Sequence, residues 1–170
     1  MAGYGLPNEQ HLSVVLQRSL EFDGHNIKII NGSVSGSTTA GGLNIAEWTL
    51  SENNIDLMIL CLGANDMLRG INPKETKNNL EEIIQIAKNK NIKVIIAGMI
   101  APTSYGFAYK KSFDKIFSDL SKKHKLQLIP FLLEGVAQNP KFNLSDGMHP
   151  NDQGTIIIGN TLKKAILENL

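Results

Sequence analysis

Four short apolar runs, separated by stretches with helical periodicity, constrain the fold of this chain more than any other feature. The runs are "IKII" (27–30), "DLMILCL" (56–62), "KVIIAGM" (93–99) and "LQLIP" (126–130). Each has the length of a strand, and the continuous apolar runs are typical of strands buried on both faces of a parallel sheet. Apolar residues recur at helical spacing in five other segments: 8–23, 38–50, 73–87, 107–123 and 153–167.

The regular alternation of helical and strand segments predicts an α/β fold with a parallel sheet and helices on both of its faces. The chain contains no internal repeat, low-complexity tract or linker, so we expect a single domain over residues 1–170. In such folds ligands bind at the carboxyl ends of the strands. We therefore expect the functional residues in the loops that follow the strands.

Composition excludes several classes of function. Hydrophobic residues make up 42% of the chain and charged residues 19%, and the formal net charge is +1. We therefore expect a globular protein that binds neither nucleic acid nor a membrane surface stably. The one cysteine, Cys61, excludes an internal disulfide and a cysteine-rich metal site. No apolar run reaches the roughly 18 residues that a membrane-spanning helix needs.

Polar or glycine-rich loops come after all four predicted strands. They are "NGSVSGSTTAGG" (31–42), "GANDMLRG" (63–70), "IAPTSYG" (100–106) and, after a short apolar segment, "SDGMHPN" (145–151). Because the carboxyl ends of parallel strands meet at one edge of a sheet, we expect these four loops to converge.

The residue types in these loops favour acyl-transfer chemistry. The backbone N–H of Gly36 and the side-chain amide of Asn65 are suited to an oxyanion hole. His149 is suited to act as a general base, and Asp146 to orient it through the other ring nitrogen. Each feature alone also has a structural explanation: a turn glycine, a helix cap, or a surface histidine. Their combination, each after the expected strand, favours function.

Three segments resemble signature blocks of a known enzyme family. "NGSVSGST", "LGANDMLRGINP" and "DGMHPN" are similar to three of the four blocks of the SGNH (GDSL) hydrolases, and resemble most the bacterial thioesterase, lysophospholipase and arylesterase branch. The resemblance implies a flavodoxin-like three-layer α/β/α fold and hydrolysis of an acyl ester or thioester, such as acyl-CoA, a lysophospholipid or an aryl ester, without metal or cofactor. It implies that Gly36 and Asn65 form the oxyanion hole, and that Asp146 and His149 belong to a Ser-His-Asp triad.

The fourth block, which holds the nucleophilic serine of that family, has no counterpart in the printed sequence. The chain opens "MAGYGLPNE", and Ala2 to Gly5 match the residues that come after the nucleophilic serine in the family. We therefore expect an N-terminally truncated domain that lacks the first strand and the nucleophile, and a 170-residue chain that is inactive by itself. In the family, the positions of Ser33, Ser35 and Ser37 build the oxyanion loop, so these serines are not expected to attack the substrate.

The resemblance also suggests where an acyl chain would lie. The segment "IAPTSYGFAYKKSF" (100–113) resembles the substrate-side loop of this branch. We expect Ile100, Tyr105 and Met148 to contact the substrate, while the apolar residues of the 100–113 segment fit equally well as core residues or as the start of a helix.

Other functions remain open at this stage. A truncated, inactive pseudoenzyme or an acyl-binding module would use the same fold without turnover. A nucleotide-binding protein would need a phosphate-binding loop after its first strand, and it leaves "DGMHPN" unexplained. We expect a monomer. The resemblance implies a periplasmic location if a signal peptide lies upstream, and a cytoplasmic location otherwise.

Overall fold

The computed structural model describes residues 3–51 and 54–170, and within them the chain divides into two compact units. Gly36–Phe131 form one unit, here called the sheet unit. The residues up to Ser35 together with Leu132–Leu170 form the other, here called the terminal unit. The expectation of one domain over the whole chain stays a prediction.

Within the described residues, the sheet unit contains a parallel sheet of three strands, and these strands lie in three of the four predicted apolar runs. The strands are β1 (Leu57–Leu60), β2 (Lys93–Ala97) and β3 (Gln127–Ile129), in the order β1-β2-β3. In the register of the sheet, Leu57 lies opposite Lys93, and Ile95 lies opposite Gln127. Four of the five residues of β2 are buried, as expected for a central strand covered on both faces.

The helices that the structure describes in the sheet unit are α2 (Thr39–Thr49), α3 (Ala64–Leu68), α4 (Pro73–Asn89) and α5 (Phe107–His124). The start of α4 has the predicted pattern, because Pro73 occupies its first turn and the Asn72 side chain accepts a hydrogen bond from the N–H of Lys74. The short helix α3 was not predicted as an element. A helical turn, Thr103–Tyr105, precedes α5.

The helices α4 and α5 supply most of the core of the sheet unit. Their buried residues recur at helical spacing and contact buried residues of the strands; among those with no exposed surface are Leu80, Ile84, Ala87, Phe113, Leu120 and, from β2, Ile96. Burial of a side chain of this size contributes roughly 1.5–3 kcal/mol. This packing explains why the sequence periodicity located α4 and α5 correctly.

The terminal unit is built on two helices, α1 (Leu12–Phe22) and α6 (Asp152–Leu167), which pack against each other. Three leucines spaced four residues apart, Leu12, Leu16 and Leu20, are buried along α1. Asn151 caps α6 by accepting a hydrogen bond from the N–H of Gly154. The predicted single helix over 8–23 is instead a short helical turn, Asn8–Gln10, and then α1. The two are separated at His11, whose backbone is extended.

The strand predicted over residues 27–30 does not form, and this prediction is wrong. The segment keeps the alternation of a strand, with Ile27 and Ile29 half-buried and Lys28 and Ile30 exposed. However, the side-chain amide of Gln17 takes the place of a neighbouring strand. It accepts a hydrogen bond from the N–H of Ile29 at 2.6 Å and donates one to the carbonyl of Ile27 at 2.7 Å. The alternating burial is that of a strand, but a strand also needs a second strand beside it.

No helix in the described part of the chain is long and apolar enough to cross a membrane.

Candidate active site

Asp146 and His149 form a hydrogen-bonded pair on a tight loop of the terminal unit. The loop is closed at its base by the N–H of Leu144, which donates to the carbonyl of His149 at 2.7 Å. Within the loop, Asp146 Oδ1 accepts from the backbone N–H groups of Met148 at 2.8 Å and His149 at 2.9 Å. Asp146 Oδ2 lies 2.7 Å from His149 Nδ1. The three-residue spacing thus lets one carboxylate order both the backbone and the ring of the histidine.

These hydrogen bonds keep the carboxyl group ionised. The backbone N–H of His149, its side chain and the backbone N–H of Met148 together lower the pKa of Asp146 to about 2. An ionised carboxylate can only accept, so Nδ1 of His149 carries the proton of their shared hydrogen bond. In the neutral ring Nε2 then holds the free electron pair that a general base needs. Among the described residues, Nε2 has no hydrogen-bond partner.

Gly36 and Asn65 come together in the sheet unit. The side chain of Asn65 lies in the first turn of α3 and donates from Nδ2 to the carbonyl of Ser37 at 3.1 Å. The carbonyl of Gly36 accepts a hydrogen bond from Nη2 of Arg69 at 2.9 Å. Residues at the start and at the end of α3 therefore hold the 36–37 segment. An oxyanion role for Gly36 and Asn65 stays a prediction.

Asp66 organises this region, and nothing in the sequence indicated its role beyond the ability of an aspartate to cap a helix. Its side chain is fully buried. Oδ2 accepts from the backbone N–H of Thr39, at the start of α2, at 2.8 Å, and Oδ1 accepts from the hydroxyl groups of Thr39 and Thr76. Asn79 in turn donates to the hydroxyl of Thr39 at 3.1 Å. Asp66 thus caps α2 across a separation of 27 residues, and so holds α2 and α4 against α3, which carries Asn65.

The three residues predicted to contact substrate have different environments. Ile100 is 43% exposed after β2, and Met148 is 50% exposed on the loop of the Asp146–His149 pair. Tyr105 is half-buried and packs against the core of the sheet unit. Its hydroxyl donates to the carbonyl of Leu68 at 3.4 Å. Tyr105 thus has the packing of a residue at the edge of the core, and contact with substrate stays a prediction for all three.

Tyr105 begins a ladder of aromatic rings along α5. Tyr105 and Tyr109 have ring centroids 5.4 Å apart, Tyr109 and Phe113 are 6.0 Å apart, and Phe113 and Phe117 are 5.7 Å apart. The hydroxyl of Tyr109 donates to the carbonyl of Ile71 at 3.0 Å, and burial raises its pKa. The ladder therefore supports the segment directly after α3.

Two hollows lie near these loops. One, of about 390 Å³, is lined by Gln138, Pro140, Asn143, Leu144, Ser145 and Gly147 in the terminal unit. The other, of about 500 Å³, is lined by Gly70, Asn72, Pro73, Lys74, Ala108, Tyr109 and Ser112 in the sheet unit. None of the predicted site residues lines either hollow, so neither is assigned to a substrate.

Sequence reasoning missed a ring contact to the predicted base. The ring of Tyr4 lies against the imidazole of His149, with centroids 4.4 Å apart and an angle of 32° between the ring planes. No periodic signal links two residues this far apart along the chain. Ala2, the first residue of the segment that matches the family after its nucleophilic serine, lies outside the described residues, as does Met1.

The described residues include no group of three or more histidine, cysteine, aspartate or glutamate side chains that could hold a metal ion.

Comparison with known proteins decides the family. The model of the GDSL-like lipase/acylhydrolase family matches residues 1–155. The chain belongs to this family. Among curated GDSL-like relatives, the arylesterase of Vibrio mimicus is 34% identical over 169 residues, which cover 99% of this chain and 84% of the relative. Esterase TesA of Pseudomonas aeruginosa is 35% identical, with coverage of 88% and 74%. Thioesterase 1/protease 1/lysophospholipase L1 of Escherichia coli K12 is 31% identical, with coverage of 81% and 66%.

Solved structures of GDSL-like hydrolases share the fold. A crystal structure of TesA superimposes with a TM-score of 0.93 at 31% identity, over 99% of this chain and 94% of that one. AlinE4, an esterase of the SGNH-hydrolase family, gives a TM-score of 0.82 at 36% identity, over 99% and 90%. The α/β fold with a parallel sheet is therefore that of an SGNH hydrolase, as the three sequence blocks predicted. Membership of the GDSL-like family supports hydrolase activity of the esterase, thioesterase or lysophospholipase type.

Proposed function

We propose that this protein is a serine esterase or thioesterase that hydrolyses small acyl esters, with His149 as its general base. One observation carries the proposal: Asp146 Oδ2 lies 2.7 Å from Nδ1 of His149, on a loop that leaves Nε2 without a hydrogen-bond partner among the described residues. This is the arrangement in which an aspartate orients a catalytic histidine. The names of the relatives, an arylesterase, an esterase and a thioesterase/lysophospholipase, support the same reaction class.

In the proposed mechanism, His149 Nε2 takes the proton of a serine hydroxyl as the serine oxygen attacks the acyl carbonyl. The carbonyl oxygen gains negative charge, which the N–H of Gly36 and the amide of Asn65 stabilise. His149 then gives its proton to the leaving alcohol or thiol as the bond to the acyl carbon breaks. Water repeats the attack with His149 as base, which releases the carboxylic acid and restores the serine. The ionised Asp146 stabilises the imidazolium in both steps.

The proposal assigns the nucleophile to a serine outside the 170 printed residues. The resemblance to the family supports this assignment, because the block that holds the serine has no counterpart in the chain. The positions of Ser33, Ser35 and Ser37 belong to the oxyanion loop in the family. We accordingly expect the 170-residue chain by itself to hydrolyse no acyl ester.

The substrate is proposed as an acyl ester or thioester with an apolar acyl chain. Acyl-CoA, lysophospholipids and aryl esters share the reacting carbonyl, and they differ in the leaving group. Ile100 and Met148, both exposed, are proposed to contact the substrate. Tyr105, half-buried at the edge of the core of the sheet unit, is the third residue proposed to contact the substrate.

The reading frame upstream of Met1 provides the test. Both the 170-residue chain and a form extended upstream are assayed with p-nitrophenyl acyl esters and with acyl-CoA. We expect hydrolysis by the extended form alone. In that form, His149→Gln should lower kcat by roughly 10³-fold or more, because the base is lost. His25→Gln, a half-buried histidine of the terminal unit, is the matched control and should leave kcat within about twofold.

Two results would contradict the proposal. A stop codon directly upstream of Met1 would mean that no strand with a nucleophilic serine is encoded there, and the chain would lack its proposed nucleophile. Equal rates for the His149→Gln variant and the unchanged extended form would show that another base operates. The first result would favour a binding protein that retains the fold of the GDSL-like family without its chemistry, whereas the second would keep the hydrolysis and remove His149 from its mechanism.

A further inference from the structure

The ring of Tyr4 is the second contact that holds the imidazole of His149. Its centroid lies 4.4 Å from that of the imidazole, and the two planes are inclined by 32°. Asp146 holds the edge of the imidazole through Nδ1 at 2.7 Å. The edge contact and the face contact together restrict rotation of the histidine ring in two directions.

This second contact matters because the pair is open to water. The side chains of His149 and Asp146 are 41% and 37% exposed. A hydrogen bond that competes with water orders a side chain only weakly. An aromatic ring against the imidazole face removes water from that face and disfavours the rotamers in which Nδ1 leaves Asp146.

The backbone around Tyr4 is built to hold this ring in place. The N–H of Leu6 donates to the carbonyl of Gly3 at 3.1 Å, which closes a turn with Tyr4 and Gly5 at its two central positions. Gly5 has φ +72°, the conformation that the third residue of a type II turn requires. A side chain at Gly5 would also come within 2.8 Å of Leu144 Cδ1.

Other residues of the terminal unit hold this turn from two sides. His11 Nε2 lies 3.1 Å from the carbonyl of Leu6, and Gly3 lies so close to the ring of His11 that a Cβ there would overlap it. On the other side, Gly5 lies against Leu144, whose N–H is bonded to the carbonyl of His149. The turn thus lies against the side chain of Leu144 on the histidine loop and against the ring of His11, and these contacts hold the ring of Tyr4 near that of His149.

We propose that Tyr4 is a positioning residue for His149: its ring fixes the plane of the imidazole so that Nδ1 stays bonded to Asp146 and Nε2 stays directed away from it. The inference rests on the proposed function, since positioning matters for the reaction only if His149 is the base. The phenol hydroxyl takes no part. The ring itself carries the effect, so phenylalanine can replace tyrosine here.

The first test is made by NMR on the 170-residue chain, labelled with ¹⁵N and ¹³C at histidine. The unchanged protein is compared with Tyr4→Phe, Tyr4→Leu and a control, Phe22→Leu, which removes an aromatic ring 91% exposed at the end of α1. We expect the carbon-bound ring protons of His149 to lose an upfield ring-current shift in Tyr4→Leu alone. We also expect the Nδ1–H resonance to broaden beyond detection in that variant and to persist in the other three proteins.

Two NMR results overturn the inference. If Tyr4→Leu leaves all His149 resonances unchanged, the rings are not in contact. If the ring-current shift disappears but the Nδ1–H resonance stays sharp, the rings touch and Tyr4 positions nothing. Backbone amide spectra show whether Tyr4→Leu is folded. If it is not, Tyr4→Ser is measured instead, because it removes the ring with a polar side chain suited to a turn.

The second test separates this inference from the proposed function. In the extended, hydrolysing form, Tyr4→Leu should lower kcat roughly tenfold with little change in KM, because a displaced base slows the chemical step. Tyr4→Phe should keep the kcat of the unchanged form, because the aromatic ring is retained. An unchanged kcat in Tyr4→Leu overturns the positioning role. If no form hydrolyses ester but the NMR results are as expected, then Tyr4 orders the imidazole and only the proposed function has failed.

Discussion

Among single residues, two aspartates in opposite environments, one exposed and one buried, have different structural roles. Asp146 lies at the surface, and three hydrogen bonds from two adjacent residues hold it. Asp66 is fully buried, and its partners come from α2 and α4. The first carboxylate orders a neighbour in the same loop, whereas the second connects elements far apart in the chain.

The three donors around Asp146 lead to a prediction about its titration. The carboxyl-carbon resonance of Asp146 should have its midpoint near pH 2, as the lowered pKa implies, instead of the usual value of about 3.9. Because the folded pKa lies below the unfolded one, this carboxylate contributes stability above about pH 4 that is lost as the pH falls towards 2. The Asp146→Asn variant identifies the resonance by its absence. A midpoint near 3.9 would mean that the loop does not hold the carboxylate.

The Asp146–His149 pair was predictable from sequence, and the contact of His149 with Tyr4 was not. An aspartate and a histidine three residues apart, between a glycine and a proline, can meet within one loop whatever the rest of the fold does. Tyr4 and His149 are separated by most of the chain. They meet only because the turn of Gly3 to Leu6 packs against Leu144.

At the scale of elements, helix α3 acts mainly through Asp66. This helix has only five residues, too few to be stable by itself. Its buried carboxylate accepts the N–H at the start of α2 and a hydroxyl from α4. The end of β1, the start of α2 and α4 are therefore held together by one side chain, and Asn65 is placed as its neighbour in sequence.

Removal of this carboxylate should destabilise the protein measurably. Asp66→Asn replaces one acceptor oxygen by an N–H₂ group that faces other donors, so we expect a loss of about 1–3 kcal/mol for each buried group left unpaired. The free energy of unfolding, measured by urea denaturation, tests this. Asp119→Asn is the matched control, because Asp119 pairs with Lys77 at the surface, and such pairs contribute roughly 0–1 kcal/mol.

A double-mutant cycle makes the same prediction specific. Thr39→Val removes the hydroxyl that binds Asp66 and keeps the shape of the side chain. If the two groups interact directly, the effects of Thr39→Val and Asp66→Asn should combine to less than their sum. Additive effects, or an Asp66→Asn variant as stable as the control, would contradict the role of Asp66.

Element positions could be predicted from periodicity wherever packing reinforced it. α4 and α5 bury residues at helical spacing, and their predicted ranges were close to those observed. Residues 27–30 show the limit of the method. Their pattern is that of a strand, yet the amide of Gln17 satisfies their backbone, and no local pattern reveals which group will do so.

At the scale of the whole molecule, the two compact units differ in composition of elements. The sheet unit is one continuous segment with all three strands, whereas the terminal unit joins segments from both ends of the described chain. Each unit is small, and a small core alone gives marginal stability. The chain also passes between the units twice.

We therefore expect the protein to unfold in one cooperative transition, as the prediction of a single domain requires. Differential scanning calorimetry should give equal calorimetric and van't Hoff enthalpies. A transition that resolves into two, with far-ultraviolet and near-ultraviolet circular dichroism tracing different curves, would contradict the single domain. The Asp66→Asn variant sharpens the test, because in a single domain it lowers the one transition and leaves no second transition at its original temperature.

The α/β class, the parallel sheet, the family blocks and the Asp146–His149 pair could all be predicted from the amino-acid sequence. These features depend on local periodicity or on residues a few positions apart, and such short-range patterns can be detected in the sequence without the fold. The tertiary structure alone decided the cap that Asp66 provides to α2, the contact of Tyr4 with His149 and the loss of the strand at 27–30. Each of these joins groups that are distant along the chain, and which distant groups meet depends on how the intervening elements pack.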